Sequence, residues 1–566
     1  MLWSTLKRLW KRISEALADF FDRRDTRSLS VQLLVIGLTV GLGALGVHTL
    51  LAFLADHDAT IAEIEALEAS ENDLPTPVPP IAQLLGAAFS LLGALRALTL
   101  GRIRDEEKRN RATMITLWLA ATGAIIAWIP SDLAYWLQEM RLDTSGENYS
   151  YQAFAIKEIL IFLFVISFPI GAHLHFSSSL MDQYVLRSFL TPFSLCLTAL
   201  VAIWILADLL NNGSDLARGT SGPGLVLEFY IIQMPQVFLF VMPITLSLSL
   251  LFSLSKMSRS NELISMLGSG RSLLRVLMPL FIAGIYASLL CLVFKFEWAP
   301  ESIGYKENLL QEIRNDAKGK KDTGRYQSFG WLHVNEVDQR IWYVGRVPSS
   351  FRDKFISLVV AEITPEGQVK RTWWARSANW TTDGAWWLRD GRVHTYPEDG
   401  APVIETFRKC RIRGWQETPW KITSSALKPE FLSVPDLSGF LRTNADYKPE
   451  QLAPYRTNWW NAFAEPFSCL VITLITAPLG VVYSRRGIMG GVAYTIAILA
   501  GIYVLPGVFL LLGKKSVIPA ILAAWSTNLI FAIIAALLLI SKSKNRDIPK
   551  LSSWLRNRKL RRRLHA

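Results

Sequence analysis

The sequence predicts a polytopic α-helical membrane protein, with about ten transmembrane helices and an all-β domain inserted between two sets of spans. Three observations predict it. Apolar residues make up 51% of the 566 and gather into runs of about twenty, the length that crosses a hydrocarbon core. A long polar block, about Glu301–Pro429, interrupts those runs and is rich in strand formers. Lys and Arg crowd some connecting loops and are missing from others, which orients a chain across a bilayer.

The spans are read in order from the apolar runs. Four come first, at about Val31–Ala55, Ala82–Leu100, Ala112–Leu137 and Ala155–His173; Arg96 interrupts the second. Three follow, at about Phe193–Leu210, Phe229–Leu254 and Leu273–Phe294. After the polar block come Phe463–Tyr483, Gly491–Leu512 and Ile518–Ile540. Ahead of them all, Leu6, Trp10, Ile13, Leu17 and Phe20 recur at helical spacing among basic residues. Such a helix lies flat on an anionic membrane surface or packs on protein, and the pattern fits both.

The loops set the orientation. Asp56–Pro80 holds seven acids and no Lys or Arg, whereas Gly101–Arg111 holds five basic residues. The tail from Ser541 holds ten basic residues against Asp547 alone, and Arg485 and Arg486 follow the eighth span. Placing both termini in the cytoplasm puts every basic segment inside and the polar block outside. This asymmetry, rather than nucleic-acid binding, accounts for the net charge of +13.

The outer block reads as β. Arg340–Val344, Phe355–Ile363, Val369–Trp374, Ala385–Leu388 and Arg392–Tyr396 are rich in Val, Ile, Trp and Tyr. Pro365-Glu366-Gly367, Asp383-Gly384, Asp390-Gly391 and Asp399-Gly400 separate these runs as hairpin signals, because glycine accepts positive φ cheaply. Strands at this spacing predict a sandwich, jelly roll or barrel. Trp373, Trp374, Trp386 and Trp387 either line a groove, fill the domain's core or lie at the membrane interface.

Enzyme chemistry is not written in the chain. There is no HExxH, CxxC or GxSxG, and His173 with His175 lacks a third ligand, so neither a metal nor a cofactor is expected. Gly513-Lys514-Lys515-Ser516 fails as a phosphate loop because Val508 stands where the first glycine is required. Three of the four cysteines, Cys196, Cys291 and Cys469, lie in apolar runs, which excludes a disulfide framework. Ser258–Ser272 is more pointed. Between two spans, where a tight turn would suffice, it places Ser260 as an N-cap, Glu262 in the first turn, an apolar stripe of Leu263, Ile264, Met266 and Leu267, and Gly268 or Gly270 as a stop. A helix this short needs a surface to pack on.

From Met181 to Lys542 the sequence resembles the lipopolysaccharide export permease family of LptF/LptG type. The residues that carry the resemblance are MDQYVLRSFLTPF, then Ser260, Glu262, Leu263, Gly270 and Ser272 after a proline-bearing span, then Glu297-Trp298-Ala299-Pro300. Pro466, Pro478, Arg486-Gly487, Pro519 and Trp525-Ser526-Thr527-Asn528 follow in family-like order. Asn261 splits the usual Ser-Glu pair, and Met1–Leu180 is not covered.

The resemblance implies a transport subunit of the bacterial inner membrane without an ATPase site of its own. Its implied partners are a cytoplasmic ATPase dimer, a second permease, a single-span accessory protein, a periplasmic jelly-roll bridge protein and lipopolysaccharide. It implies ATPase coupling by Glu262, Leu263, Met266, Gly270 and Arg271, with Arg218, Lys295, Lys514 and Lys515 as candidates for the lipid headgroup. It places Phe193–Leu210 and Gly491–Leu512 at the seams between paired permeases. On this reading the chain divides into a cytoplasmic amphipathic helix (1–30), a four-span extension (31–180), a first permease half with its coupling helix at about 260–269 (181–298), a periplasmic jelly-roll-like domain (299–430), a connector (431–457), a second half (458–541) and a basic tail (542–566). Two alternatives stay open: a permease of the same fold for another amphiphile, and a membrane scaffold or sensor that moves nothing.

Overall fold

The computed structural model describes residues 80–100, 105–142, 151–218, 223–300, 302–303, 306, 309–310 and 326–543, except 336–337, 349–353, 366, 382–383, 398–400, 425–427, 446 and 482–487. The predicted N-terminal helix, the first span at Val31–Ala55, Arg485 with Arg486, and the tail beyond Ser543 lie outside these residues. The chain divides into two compact units, Met1–Ser178 with Arg325–Ala426, and Ser179–Gly324 with Leu427–Ala566.

In the first unit, α1 (Pro80–Leu100), α2 (Glu106–Leu142) and α3 (Tyr151–Ser177) are apolar helices. α1 packs on α2 through small residues, with Ala87, Ser90, Ala94, Thr116, Ala120 and Ala127 buried. Without a hydrophobic drive between helices in lipid, close approach of small side chains supplies the packing. α3 joins α2 through one buried ion pair, Lys157 to Asp132 at 2.6 Å. Trp136 stacks on Phe154 beside it at 4.3 Å.

The same unit holds a six-stranded antiparallel sheet in chain order: β1 (Tyr326–Asn335), β2 (Arg340–Pro348), β3 (Phe355–Ile363), β4 (Val369–Thr381), β5 (Ala385–Thr395) and β6 (Val403–Arg413). The β3 bounds match the sequence expectation, and β1 and β6 are additional. The expected all-β domain is a simple meander; no Greek-key crossover of the kind a jelly roll uses joins the described strands.

Asp390-Gly391 is not the predicted hairpin. β5 runs straight through it, pairing Ala375 with Gly391 and Ser377 with Arg389. The Asp-Gly signal was spent on a bend instead. Asp390 has φ 48° and Ser357 on β3 has φ 58°, both left-handed. The register puts Arg376 of β4 between them. Along this row the in–out alternation skips a residue: Phe355 then Leu358 on β3, Ala375 then Ala378 on β4, Leu388 then Val393 on β5 all face one core. Each strand takes up its extra residue at the same level, so the register is unbroken while the sheet turns.

That core is built from tryptophan. Trp342 meets Trp386 at 5.2 Å and Trp415 at 4.9 Å, and Trp373 meets Trp415 at 5.2 Å. Trp373 and Trp386 therefore fill the interior, whereas Trp374 and Trp387 do not. The strand exit folds back under the sheet through α8 (Pro419–Ser424), held by the buried carboxylate of Glu417. Glu417 accepts from Asn335 Nδ2 at 2.7 Å and Arg340 Nε at 2.9 Å, and its carbonyl accepts from Trp386 Nε1 at 2.7 Å. Burial in this network pushes the His333 imidazole down to about 4, against the pull of Glu417.

The second unit is helical: α4 (Leu180–Arg218), α5 (Pro223–Arg259), α6 (Glu262–Gly268), α7 (Leu273–Val293), α9 (Val434–Thr443), α10 (Pro449–Ala464), α11 (Ser468–Gly480), α12 (Ile488–Lys514) and α13 (Ala520–Ser543). Among the described residues of the whole chain, eight helices are long and apolar enough to cross a membrane. α1 carries only the shorter apolar stretch Ala82–Ala97. The eighth predicted span begins earlier than expected, at Pro449, because α10 runs into α11 through one 3-10 turn. α5, α7 and α11 form the centre, around Leu246, Leu250, Leu254, Leu277, Leu280 and Ala477. Two of its buried hydroxyls bond within their own helix, Thr245 donating to the Val241 carbonyl at 2.9 Å and Ser249 to the Thr245 carbonyl at 2.6 Å.

Candidate functional site

α5 ends and α6 begins through a single left-handed residue. Asn261, with φ 60°, is the N-terminal flanking residue of α6, and its side chain makes no capping bond. This corrects the expected cap at Ser260, whose hydroxyl instead bonds back to the Lys256 carbonyl at 3.0 Å and so belongs to the end of α5. At the other end Gly270 takes φ 87°, as a stop residue must, and Ser272 caps α7 by accepting from the Arg275 N–H.

Seven residues do not make a stable helix alone. Here α6 finds its surface within its own chain. Leu263 and Met266 are buried in the central apolar cluster with Leu254, Met257 and Leu273. Of the stripe expected to meet an outside partner, Leu263 and Met266 therefore face inward and Ile264 stays exposed. What α6 leaves outward is Asn261, Ile264, Ser265, Gly268 and Ser269.

The polar residues of the hinge are tied to the start of α4. Tyr184 Oη donates to the Glu262 carboxylate at 2.7 Å. Asp182, buried, takes Arg271 on one oxygen and Arg275 on the other, each at 3.4 Å. Arg271 also donates to Ser179 Oγ at 3.3 Å. Glu262 and Arg271 were singled out from sequence. Asp182, Tyr184 and Ser179 were not, since nothing local marks a partner some ninety residues away.

The four basic residues proposed for a headgroup have different settings. Lys295 pairs with Glu465 at 2.9 Å. Lys514 pairs with Glu430, and although burial raises that carboxyl, the bond and charge of Lys514 carry it below the usual range. Lys515 is exposed, and the side chain of Arg218 lies outside the described residues. A further cation, Lys306, meets Asp208 at 2.9 Å and sits 5.6 Å from the rings of both Trp204 and Phe229. Asp208 is the sole charged residue of the run Phe193–Leu210, and nothing in the sequence marked Lys306 as its partner.

Among the described residues, eight bilayer-length helices, a short helix clamped between two of them and a separate antiparallel sheet define a multi-pass membrane protein. Comparison with known proteins names the family. Residues 183–541 match the model of the lipopolysaccharide export system permease LptF/LptG, and the chain belongs to that family. It is 22% identical over 366 residues to the lipopolysaccharide export system permease protein LptF of Escherichia coli strain K12, covering 63% of this chain and 93% of that one. The LptF of Shigella flexneri matches with the same identity and coverage. Residues before 183 fall outside the family match.

Proposed function

We propose that this chain is one permease of a pair that draws lipopolysaccharide from the inner membrane and passes it to a periplasmic bridge of jelly-roll type, driven by a separate cytoplasmic ATPase dimer. The observation that carries the reading is the family match, which runs without interruption through both sets of helices, the hinge and the sheet between them. In this reading both termini are cytoplasmic and the sheet is periplasmic. α4 and α12 form seams with the second permease, and apolar helix faces there admit a lipid sideways.

Coupling runs through α6. The outward Ile264, Ser265 and Gly268 offer one apolar knob beside small residues for an ATPase groove, while Glu262, Arg271 and Asp182 carry the push to the start of α4. Residues 1–180 form a separate bundle that steadies the complex or takes the place of a single-span accessory subunit. The test is reconstitution of the chain with a partner permease and ATPase in liposomes holding lipopolysaccharide. Ile264→Asp should leave assembly of the two permeases intact and abolish ATP-driven release to an acceptor. Full export in that variant would remove α6 from the coupling path, and no export by the unaltered complex would remove the reading itself.

A further inference from the structure

The bend in the sheet opens a cleft of about 550 Å³ on the side away from the tryptophan core. Tyr343, Trp374, Arg376, Asp390, Gly391 and Arg392 contribute to it. Four features separate it from an ordinary sheet face. Both left-handed residues of the bend, Ser357 and Asp390, lie in its wall, and strain of this kind is retained where the surroundings hold it in place. Gly391 admits no side chain: a Cβ would stand 2.1 Å from the Trp374 carbonyl oxygen and 2.5 Å from the Phe407 ring, so the floor is fixed backbone on backbone. Tyr343 and Trp374 are each 43% exposed, large aromatic faces turned to solvent rather than into the core. Arg376 and Asp390 are cross-strand neighbours, yet among the described residues neither makes an ion pair, while Arg392 stacks on Trp374 at 5.4 Å.

We propose that this cleft binds a phosphorylated saccharide. The exposed Tyr343 ring offers a flat face for a sugar ring to stack on, while Trp374 holds Arg392 in place beside it. A guanidinium fork takes a phosphate bidentately, and two arginines here hold no carboxylate. Asp390, which would repel phosphate, accepts from sugar hydroxyls instead. Its place opposite Arg376 sets one hydroxyl-binding group beside one phosphate-binding group, which a bare anion site has no use for. The cleft floor reaches Leu358 and Ala375, whose side chains belong to the apolar core, so the bend is where the apolar and cationic faces of the sheet come nearest. That the saccharide is a lipid headgroup rests on the proposed function; that the cleft holds a phosphorylated sugar does not.

The experiment uses the full chain in phospholipid nanodiscs, with Thr406 at the cleft replaced by a photoreactive phenylalanine. The probe is lipopolysaccharide stripped of its acyl chains, a soluble phosphorylated oligosaccharide. It should be captured, and Arg376→Ala with Arg392→Ala should lower capture at least about tenfold, the loss of one charge-assisted bidentate contact. Arg376→Lys with Arg392→Lys, which keeps charge and fold, should give an intermediate value. Arg389→Ala, exposed on the same strand but away from the cleft, should change nothing. Equal capture of the phosphate-free sugar, unchanged capture in the double alanine variant, or full competition by inorganic phosphate at the same concentration would each overturn the proposal. The arms also separate it from the transport reading: sugar bound without export refutes export and keeps the site, and export without sugar binding does the reverse.

Discussion

The two cores of this molecule are packed from different residues. The sheet interior is built on Trp342, Trp373, Trp386 and Trp415, joined edge to face. The central helices are built on Leu, Val, Met, Ala and Cys and one buried phenylalanine, Phe189, with Ser and Thr buried among them and no tryptophan in the cluster. The difference follows from the solvent each core must beat. In water the drive is area removed from solvent, and an indole supplies the most area per residue. In lipid there is no such drive between helices, so close approach, interlocking aliphatic shapes and internal hydrogen bonds do the packing. Cys291 and Cys469 show the helical manner, two free, buried thiols 3.7 Å apart that pack as small apolar side chains.

The sharpest test is at Trp386. Trp386→Ala should destabilise the sheet by about 4 kcal/mol, read by pulse proteolysis of the full chain across a urea series. A loss below about 1 kcal/mol would mean that this core does not depend on buried indole area.

The second test is pH. His333 sits near 4 when folded against 6.5 when unfolded, so between those values the unfolded chain binds more protons. Stability of the sheet should therefore be full above about 6.5 and fall as pH drops toward 4, by roughly 3 kcal/mol in all. His333→Gln should flatten that slope. The apolar cluster around Leu250, which contains no histidine, should show no matching slope.

In the helices, Leu250→Ala should cost about 2 kcal/mol, because a cavity forms but little of the loss is transfer from water. Unfolding in mixed micelles measures it, and a loss matching that of Trp386→Ala would erase the distinction between the cores. The smallest effect is expected at Thr476, whose hydroxyl lies 3.3 Å from that of Ser247. Thr476→Val should cost about 0.6 kcal/mol, the usual worth of one bond between helices in a membrane.

The same contrast explains what the sequence revealed. Apolar runs of bilayer length are legible, and the described ones came out as helices, though some helices run well past them, α4 starting at Leu180 and the eighth span at Pro449. The hairpin at Gly384 and the bounds of β3 were equally legible, since turn chemistry and β-branched runs act locally. β6 was missed because Glu405, Arg408, Lys409 and Arg411 give it charge where alternation was sought. Asp390-Gly391 was misread because the same dipeptide that closes a hairpin also makes a bulge, and only the pairing partner decides between them. At α6, periodicity identified the stripe but not the wall it faces, and the ties from Glu262, Arg271 and Arg275 to α4 depend on residues far apart in sequence.

The transverse bend also acts as an index mark. A regular antiparallel ladder that slips by two residues keeps its faces and loses little, which is why plain strands mispair. Here a slip of two between β3 and β4, or between β4 and β5, would set the left-handed Ser357 or Asp390 against a strand position that takes up no extra residue. Only one alignment lets all three strands turn at the same level. The geometry that shapes the sheet thus selects its register during folding, in a domain whose neighbouring strands otherwise carry interchangeable tryptophans.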